Sequence, residues 1–508
     1  MDSDEKDSRV PVGTGTPELP TVTDLEQLAD AGTGKETHDI DDRLKPQASS
    51  QNSSWRLRVK KILLWGVETH GISPTLVSER TDPRIYQMFT VWFSAILNLT
   101  GLSTGALGPV VFGLGMRDSA LVCIVADIIG CIIPAYFVVF GPKIGTRTMA
   151  QSRFSFGYYG TSLPSLLNVI SQGGWLIINS IVGGQVLAAV SPDKLDDTLG
   201  IVVIVLITFV ISFFGYTVLH WYETYIWIPN IVLFIAMLGV GGKNLSLASS
   251  DATNSTSSAS VAVTASALIS YGTTVYASDL TWCTLAADYG IYHDSRARTW
   301  KIFLYAYAGI FLSAFIGHIL GLSFSATAPF VPSWSSALGS GDDFGTFVVA
   351  ILEPLGGFGK FLVVLGALTV TAPCALTMYS FGVSLMNVSP VFAKVPRYIY
   401  MVVATAIVIP LAIVGATRFF TALESVLNLI GYWASSYASI ILCEHFIFRH
   451  SRCVFSLLVR CNRPLDGSSV VHGPNSKSRL GGYRDFDGIL CSRDFVCGVE
   501  ECRSENGE

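Results

Sequence analysis

Charge is scarce in this chain. Of its 508 residues, 14% are Asp, Glu, Lys or Arg and 50% are hydrophobic, against about a quarter charged in ordinary soluble domains. Apolar runs of bilayer-crossing length, roughly 20 residues, recur along it. A soluble globular class is therefore excluded, and a polytopic membrane protein is expected. The net charge of -5 sits in tails and loops, and no basic tract points to nucleic acid. Ten cysteines are scattered with no pair in an external loop, so no disulfide framework is expected. Cys491, Cys497 and Cys502 lack the CxxC spacing of a zinc site. An early apolar run of the signal-peptide kind is missing. So are a phosphate-cradling glycine loop, an HExxH and a nucleophile elbow. No enzymatic activity, no cofactor and no metal is expected.

What the chain does have is a long apolar core between polar ends. Residues 1–54 read as a disordered cytoplasmic tail, acidic and rich in Ser, Thr, Gly and Asp. Residues 55–87 begin with the basic Trp55-Arg-Leu-Arg-Val-Lys-Lys61 and read as an amphipathic membrane-proximal segment. Residues 88–449 hold the transmembrane core, and 450–508 a polar cytoplasmic tail. Spans are expected at about 88–116, 119–141, 165–190, 199–216, 224–242, 261–287, 302–325, 359–386, 397–416 and 420–448. Basic residues mark the inner loops: Lys143, Arg147 and Arg153, then Arg296, Arg298 and Lys301, then Lys394 and Arg397. That pattern puts the N-terminus in the cytoplasm. The loop at 243–260 is then external and carries Asn254-Ser-Thr, a glycosylation acceptor by pattern.

The first span organises the rest. Its centre reads Asn98-Leu-Thr-Gly-Leu-Ser-Thr-Gly105-Ala-Leu-Gly108-Pro109. Glycine and proline free backbone groups that hydrocarbon cannot satisfy, so such a helix is broken where it lines a polar cavity. The sixth span carries a second polar interruption, Ser270-Tyr-Gly-Thr-Thr-Val-Tyr-Ala-Ser-Asp279. Interruptions at positions one and six predict a five-plus-five inverted repeat with the binding site at its midplane.

Asp279 is the leading functional residue, since an acid inside an apolar span is costly unless it faces a cavity or a partner. Trp282 beside it suits a flat polar ligand. Capping of a second half-helix is the competing reading for Asp279. In the third span Trp175 and Asn179 lie four apart on one face, an indole to stack on and a carboxamide to read an edge. Helix packing through Gly173, Gly174, Gly183 and Gly184 is equally open. Glu223 is either a proton-carrying carboxylate or the start of a helix at the interface. Asp127 is ambiguous in the same way, and His318 reads as a hydrogen-bonded packing residue. Asp288 and Tyr289 read as capping or gating residues.

Several collinear motifs resemble the fungal purine–cytosine permeases of the nucleobase–cation symporter-1 family. They include Glu79-Arg-Thr-Asp-Pro-Arg-Ile-Tyr86, Ser103-Thr-Gly-Ala-Leu-Gly-Pro109, Gly174-Trp175…Asn179…Gln185, Met378-Tyr-Ser380 and Ile430-Gly-Tyr-Trp433. The resemblance runs from about Leu63 to Phe448 and implies an all-α, leucine-transporter-like fold. It implies alternating access and uptake of nucleobases with protons across the plasma membrane, with no oligomeric state specified. By that resemblance Trp175 stacks on the base and Asn179 bonds its edge. Residues from Asn98 to Ser103 close the site, and Glu223 or Asp279 carries the proton. Two departures stand out. Family members usually carry an asparagine pair in span eight, where this chain has Ala372-Pro373-Cys374-Ala-Leu-Thr377, so Cys374 brings only a thiol to that position. The family norm is twelve spans, and the last two are expected to be missing here through a truncated or misread gene end. A non-transporting sensor, and a carrier of another small heterocycle such as allantoin or a vitamin, are the alternatives.

Overall fold

The computed structural model describes residues 71–213, 216–251, 261–339 and 343–448. The expected disordered tail, residues 55–70 of the amphipathic segment, the Asn254 acceptor and the C-terminal tail lie outside these residues. A helical segment fills each of the ten expected intervals, and among the described residues no strand occurs. In order these are α1 (Gln87–Ile96) and α2 (Leu99–Val110), α3 (Met116–Gly130) and α4 (Ile132–Ile144), α5 (Ser162–Ala189), and α6 (Asp197–Phe213). Then follow α7 (Tyr216–Tyr225) and α8 (Trp227–Gly241), α9 (Val261–Leu280), and α10 (Thr299–Thr327). The last spans are α11 (Gly356–Thr369) with α12 (Thr371–Val388), α13 (Arg397–Gly415), and α14 (Phe419–Cys443). Among the described residues, six helical stretches are long and apolar enough to cross a membrane, and α1 with α2 makes a further span bent by 54°.

The bend sits at Leu97 and Asn98, ahead of the glycines expected to cause it. Asn98 is extended, at φ -151° and ψ 178°. Its Oδ1 accepts from the amides of Thr100 (2.7 Å) and Gly101 (3.3 Å), which satisfies the free donors that start α2. Its Nδ2 donates to the Ala95 carbonyl at 2.7 Å, which closes the end of α1. One side chain thus caps both halves. Asn230 of α8 donates to the freed Leu97 carbonyl at 2.6 Å. The glycines have another use: they bring α2 against α10. A Cβ on Gly105 would lie 2.1 Å from the His318 carbonyl oxygen, and one on Gly321 would lie 1.8 Å from that of Leu102.

The sixth span also differs from expectation. α9 runs unbroken through Asp279 to Leu280, and the break follows as two 3-10 turns, Thr281–Thr284 and Ala286–Tyr289. Asp279 therefore caps no second half-helix. It occupies the last turn of α9, at the negative end of that helix. In the fifth span α7 starts well before Glu223 and leaves it fully buried within the helix, not at an interfacial helix start.

Packing divides the spans into two sets. Spans one, two, six and seven pack on one another through α10 against α1 and α2, α9 against α3, and α10 against α3 and α4. Spans three, four, eight and nine do the same through α5, α6, α12 and α13. Each set joins two neighbouring spans to the pair five positions later, as the inverted repeat requires. Gly183 and Gly184 of α5 do serve packing, against Ile204 and Ile201 of α6, whereas Gly173 has nothing within 4 Å.

Candidate substrate site between the two helix sets

A cavity of about 30 Å³ lies where the broken first span faces the third. Its wall is drawn from both sets. Asn98, Thr100 and Thr104 come from the first span, Ser278, Asp279 and Trp282 from the sixth, and His318 from the seventh. Across from them stand Trp175 and Asn179 of the third span and Pro373 of the eighth. That volume holds a water or two, so the walls must part to admit a heterocycle.

Two indoles define the chamber. Trp175 and Trp282 face each other with ring centroids 6.2 Å apart and planes 26° from parallel. Trp282 is held from behind by Trp92, edge-on at 5.8 Å. The break after Leu280 is what turns Trp282 toward the cavity, since it sits on the first 3-10 turn.

Asn179 links the sets across the cavity. Thr100 Oγ1 donates to Asn179 Oδ1 at 2.7 Å, and Asn179 Nδ2 donates to the Trp175 carbonyl at 2.8 Å. Asp279 is buried, and its Oδ2 has no hydrogen-bond partner among the described residues. A buried acceptor left open on a cavity wall is equipped for a ligand donor.

Five of the sequence-predicted residues thus meet at one cavity: Asn98, Trp175, Asn179, Asp279 and Trp282. Three others do not reach its wall. Ser103 turns back to donate to the Thr100 carbonyl at 2.8 Å. Cys374 is fully buried with its thiol against Thr208 and Ser180, because its neighbour Pro373 takes the face toward the cavity. Glu223 lies beside Ser94 of α1, with neither carboxyl oxygen hydrogen-bonded in the described residues. Sequence reasoning passed over Thr104 and gave His318 a packing role. His318 does hydrogen-bond, to Asp127 at 2.9 Å, but it also faces the cavity. The available signal was three titratable side chains in three separate apolar spans.

Asp288 ties the sets together at the end of the molecule that carries the basic loops. Its carboxyl accepts from the Thr148 amide (2.7 Å) and from Ser380 of α12 (2.9 Å), and its carbonyl accepts from Arg147 (2.8 Å). Tyr289 donates to the Leu376 carbonyl at 2.7 Å.

The family profile for permeases of cytosine/purines, uracil, thiamine and allantoin matches residues 75–464. The chain belongs to this permease family. It is a membrane transporter and not an enzyme. Over 440 residues it is 31% identical to the purine-cytosine permease FCY21 of Saccharomyces cerevisiae, covering 86% of this chain and 82% of that one. It is equally 31% identical, over 393 residues, to the vitamin B6 transporter TPN1 of that organism, covering 77% of this chain and 67% of the relative. Among solved structures it is similar to Mhp1, a nucleobase-cation-symport-1 family transporter in a closed conformation with bromovinylhydantoin bound. That likeness has a TM-score of 0.57 at 14% identity and covers 77% of this chain and 84% of the other. It establishes the leucine-transporter-like fold of this permease.

Proposed function

We propose that this permease imports purine or pyrimidine bases with protons by alternating access, across the plasma membrane and with its N-terminus in the cytoplasm. The observation that carries the reading is the pair of near-parallel indoles, one on each helix set. A ring inserted between two others needs about 7 Å, two van der Waals separations of about 3.5 Å. The two indoles must part to that separation to seat a base between Trp175 and Trp282. Asn179 and Thr100 then exchange their mutual hydrogen bond for the edge of the base, and Asp279 accepts a ring or amino N–H. Asn98 holds the bend that presents Thr100. The coupling proton sits on a buried carboxyl, Asp279 or Glu223, since both carry open carboxyl oxygens on and near the moving first and sixth spans.

Radiolabelled cytosine, adenine, hypoxanthine and allantoin, offered to cells lacking their own carriers, test this reading. Saturable uptake of at least one base, abolished by a protonophore, is expected; uptake of none rejects it. A carrier of another planar heterocycle is the second reading. It is favoured by span eight, which brings Pro373 and no carboxamide to the cavity, and by the similarity to TPN1. Uptake of pyridoxine without uptake of bases would decide for it.

A further inference from the structure

We propose that Asp127, Asp279 and His318 form one proton-holding site behind the substrate cavity. The proposal deepens the proton-coupled reading above and rests on it. The three side chains come from α3, α9 and α10, and all are buried. His318 Nδ1 lies 2.9 Å from Asp127 Oδ1, and Cys123 donates its thiol to Asp127 Oδ2 at 3.5 Å from one turn away. The Asp279 carboxyl stands beside that of Asp127, across the turn of α3 that carries Gly130. Gly130 permits the approach: a Cβ there would stand 3.0 Å from Asp279 Cβ and 3.2 Å from its Oδ2.

Two carboxylates side by side away from water repel strongly, and a shared proton removes that repulsion. The other groups facing them are Cys123, Cys131 and Tyr271, with Tyr307 at longer range. No lysine or arginine is among these. The attractive arrangement therefore comes from a proton: an O–H formed on one aspartate donates to the other, and the imidazole offers a second seat. Asp279 and His318 face the cavity and Asp127 does not, so a bound base touches two members of the site and the third stays dry. All three belong to the same helix set, so the site stays intact while that set moves against Trp175 and Asn179. A proton from outside closes the O–H bond; when the cavity opens inward, that bond breaks to water and the pair regains one negative charge.

The test uses the full chain in proteoliposomes, with uptake of the base found above measured against pH. Asp127→Asn and His318→Gln are compared with Glu223→Gln. In Asp127→Asn, accumulation driven by a proton gradient is expected to fall at least tenfold more than base counterflow, and its pH dependence to flatten. His318→Gln, which keeps a donor toward Asp127, should shift the pH profile. If Asp127→Asn does not reach the membrane, His318→Gln decides alone: an unchanged profile overturns the proposal. Coupled uptake that keeps its pH dependence in both variants and loses it in Glu223→Gln assigns the proton to Glu223 and also overturns it. An unmodified protein that moves a base without protons overturns the proposal and the proton-coupled reading together, while one that moves no base removes the proposed substrate class.

Discussion

At the scale of single residues, Trp175 and Trp282 are separated by 6.2 Å, slightly less than a sandwiched ring requires. Each indole should contribute one stacking face, on the order of 1–3 kcal/mol per base. Trp175→Ala and Trp282→Ala are each expected to raise the KM for uptake by about 5- to 150-fold, at a tenfold per 1.4 kcal/mol. Phe at either position should restore most of it. Kinetics normalised to surface protein check this, and unchanged affinity in either alanine variant removes that indole from the site. Cys374 fares differently once its side chain is located. It points at Thr208 and Ser180, so Cys374→Asn should add no contact to the base. It should instead force an amide into a packed interior, where volume added to a filled core costs about 1–3 kcal/mol. Lower thermal stability with unaltered base selectivity is the expected pair of results.

At the scale of elements, the first span works because two different devices act in sequence. Asn98 caps both sides of the bend, and the glycines let the second half lie on α10. Asn98→Ala should cost about 1–2 kcal/mol from the lost N-cap and lower transport more than delivery to the membrane, because Thr100 loses its position opposite Asn179. Asn98→Ser keeps an N-cap acceptor and gives up the donor to Ala95, so it should retain more activity than the alanine. Gly321→Ala tests the second device. Its Cβ would fall 1.8 Å from the Leu102 carbonyl oxygen, and backbone on both sides leaves no flexible side chain to give way. A drop in thermal melting of the detergent-solubilised protein is expected, with loss of surface expression. Normal melting would show that α2 and α10 can separate.

At the scale of the whole molecule, transport requires the two helix sets to move against each other, and Asp288 holds them together at one end. Its hydrogen bonds reach Thr148, Arg147 and Ser380, and Tyr289 adds a further link to span eight. Asp288→Ala should loosen that end. The permease would then favour the state open toward the basic loops, with faster efflux relative to uptake. Loading vesicles with labelled base and comparing efflux with entry measures this; an unchanged ratio would show that the tie does not control opening.

Sequence reading reached the membrane class, the ten helical intervals, the repeat logic and five residues of the cavity wall. These follow from local rules: span length from hydropathy, and function from polar residues that hydrocarbon penalises wherever they occur. Trp175 and Asn179 were legible because four residues apart means one helix face. The location of each break was not legible. Glycine weakens a helix anywhere, but the chain bends where a side chain can cap both ends, and Asn98 does so while Gly105 is needed for close contact with α10 and Gly108 for contact with Ser119 of α3 and Tyr271 of α9. The facing direction of a residue in an irregular or tightly packed stretch was equally out of reach, which is why Cys374 was expected in the cavity and Pro373 occupies it. The pairing of Asp127 with His318 joins residues 191 positions apart. No periodicity encodes that distance; only the packing of the second span against the seventh brings the two side chains together.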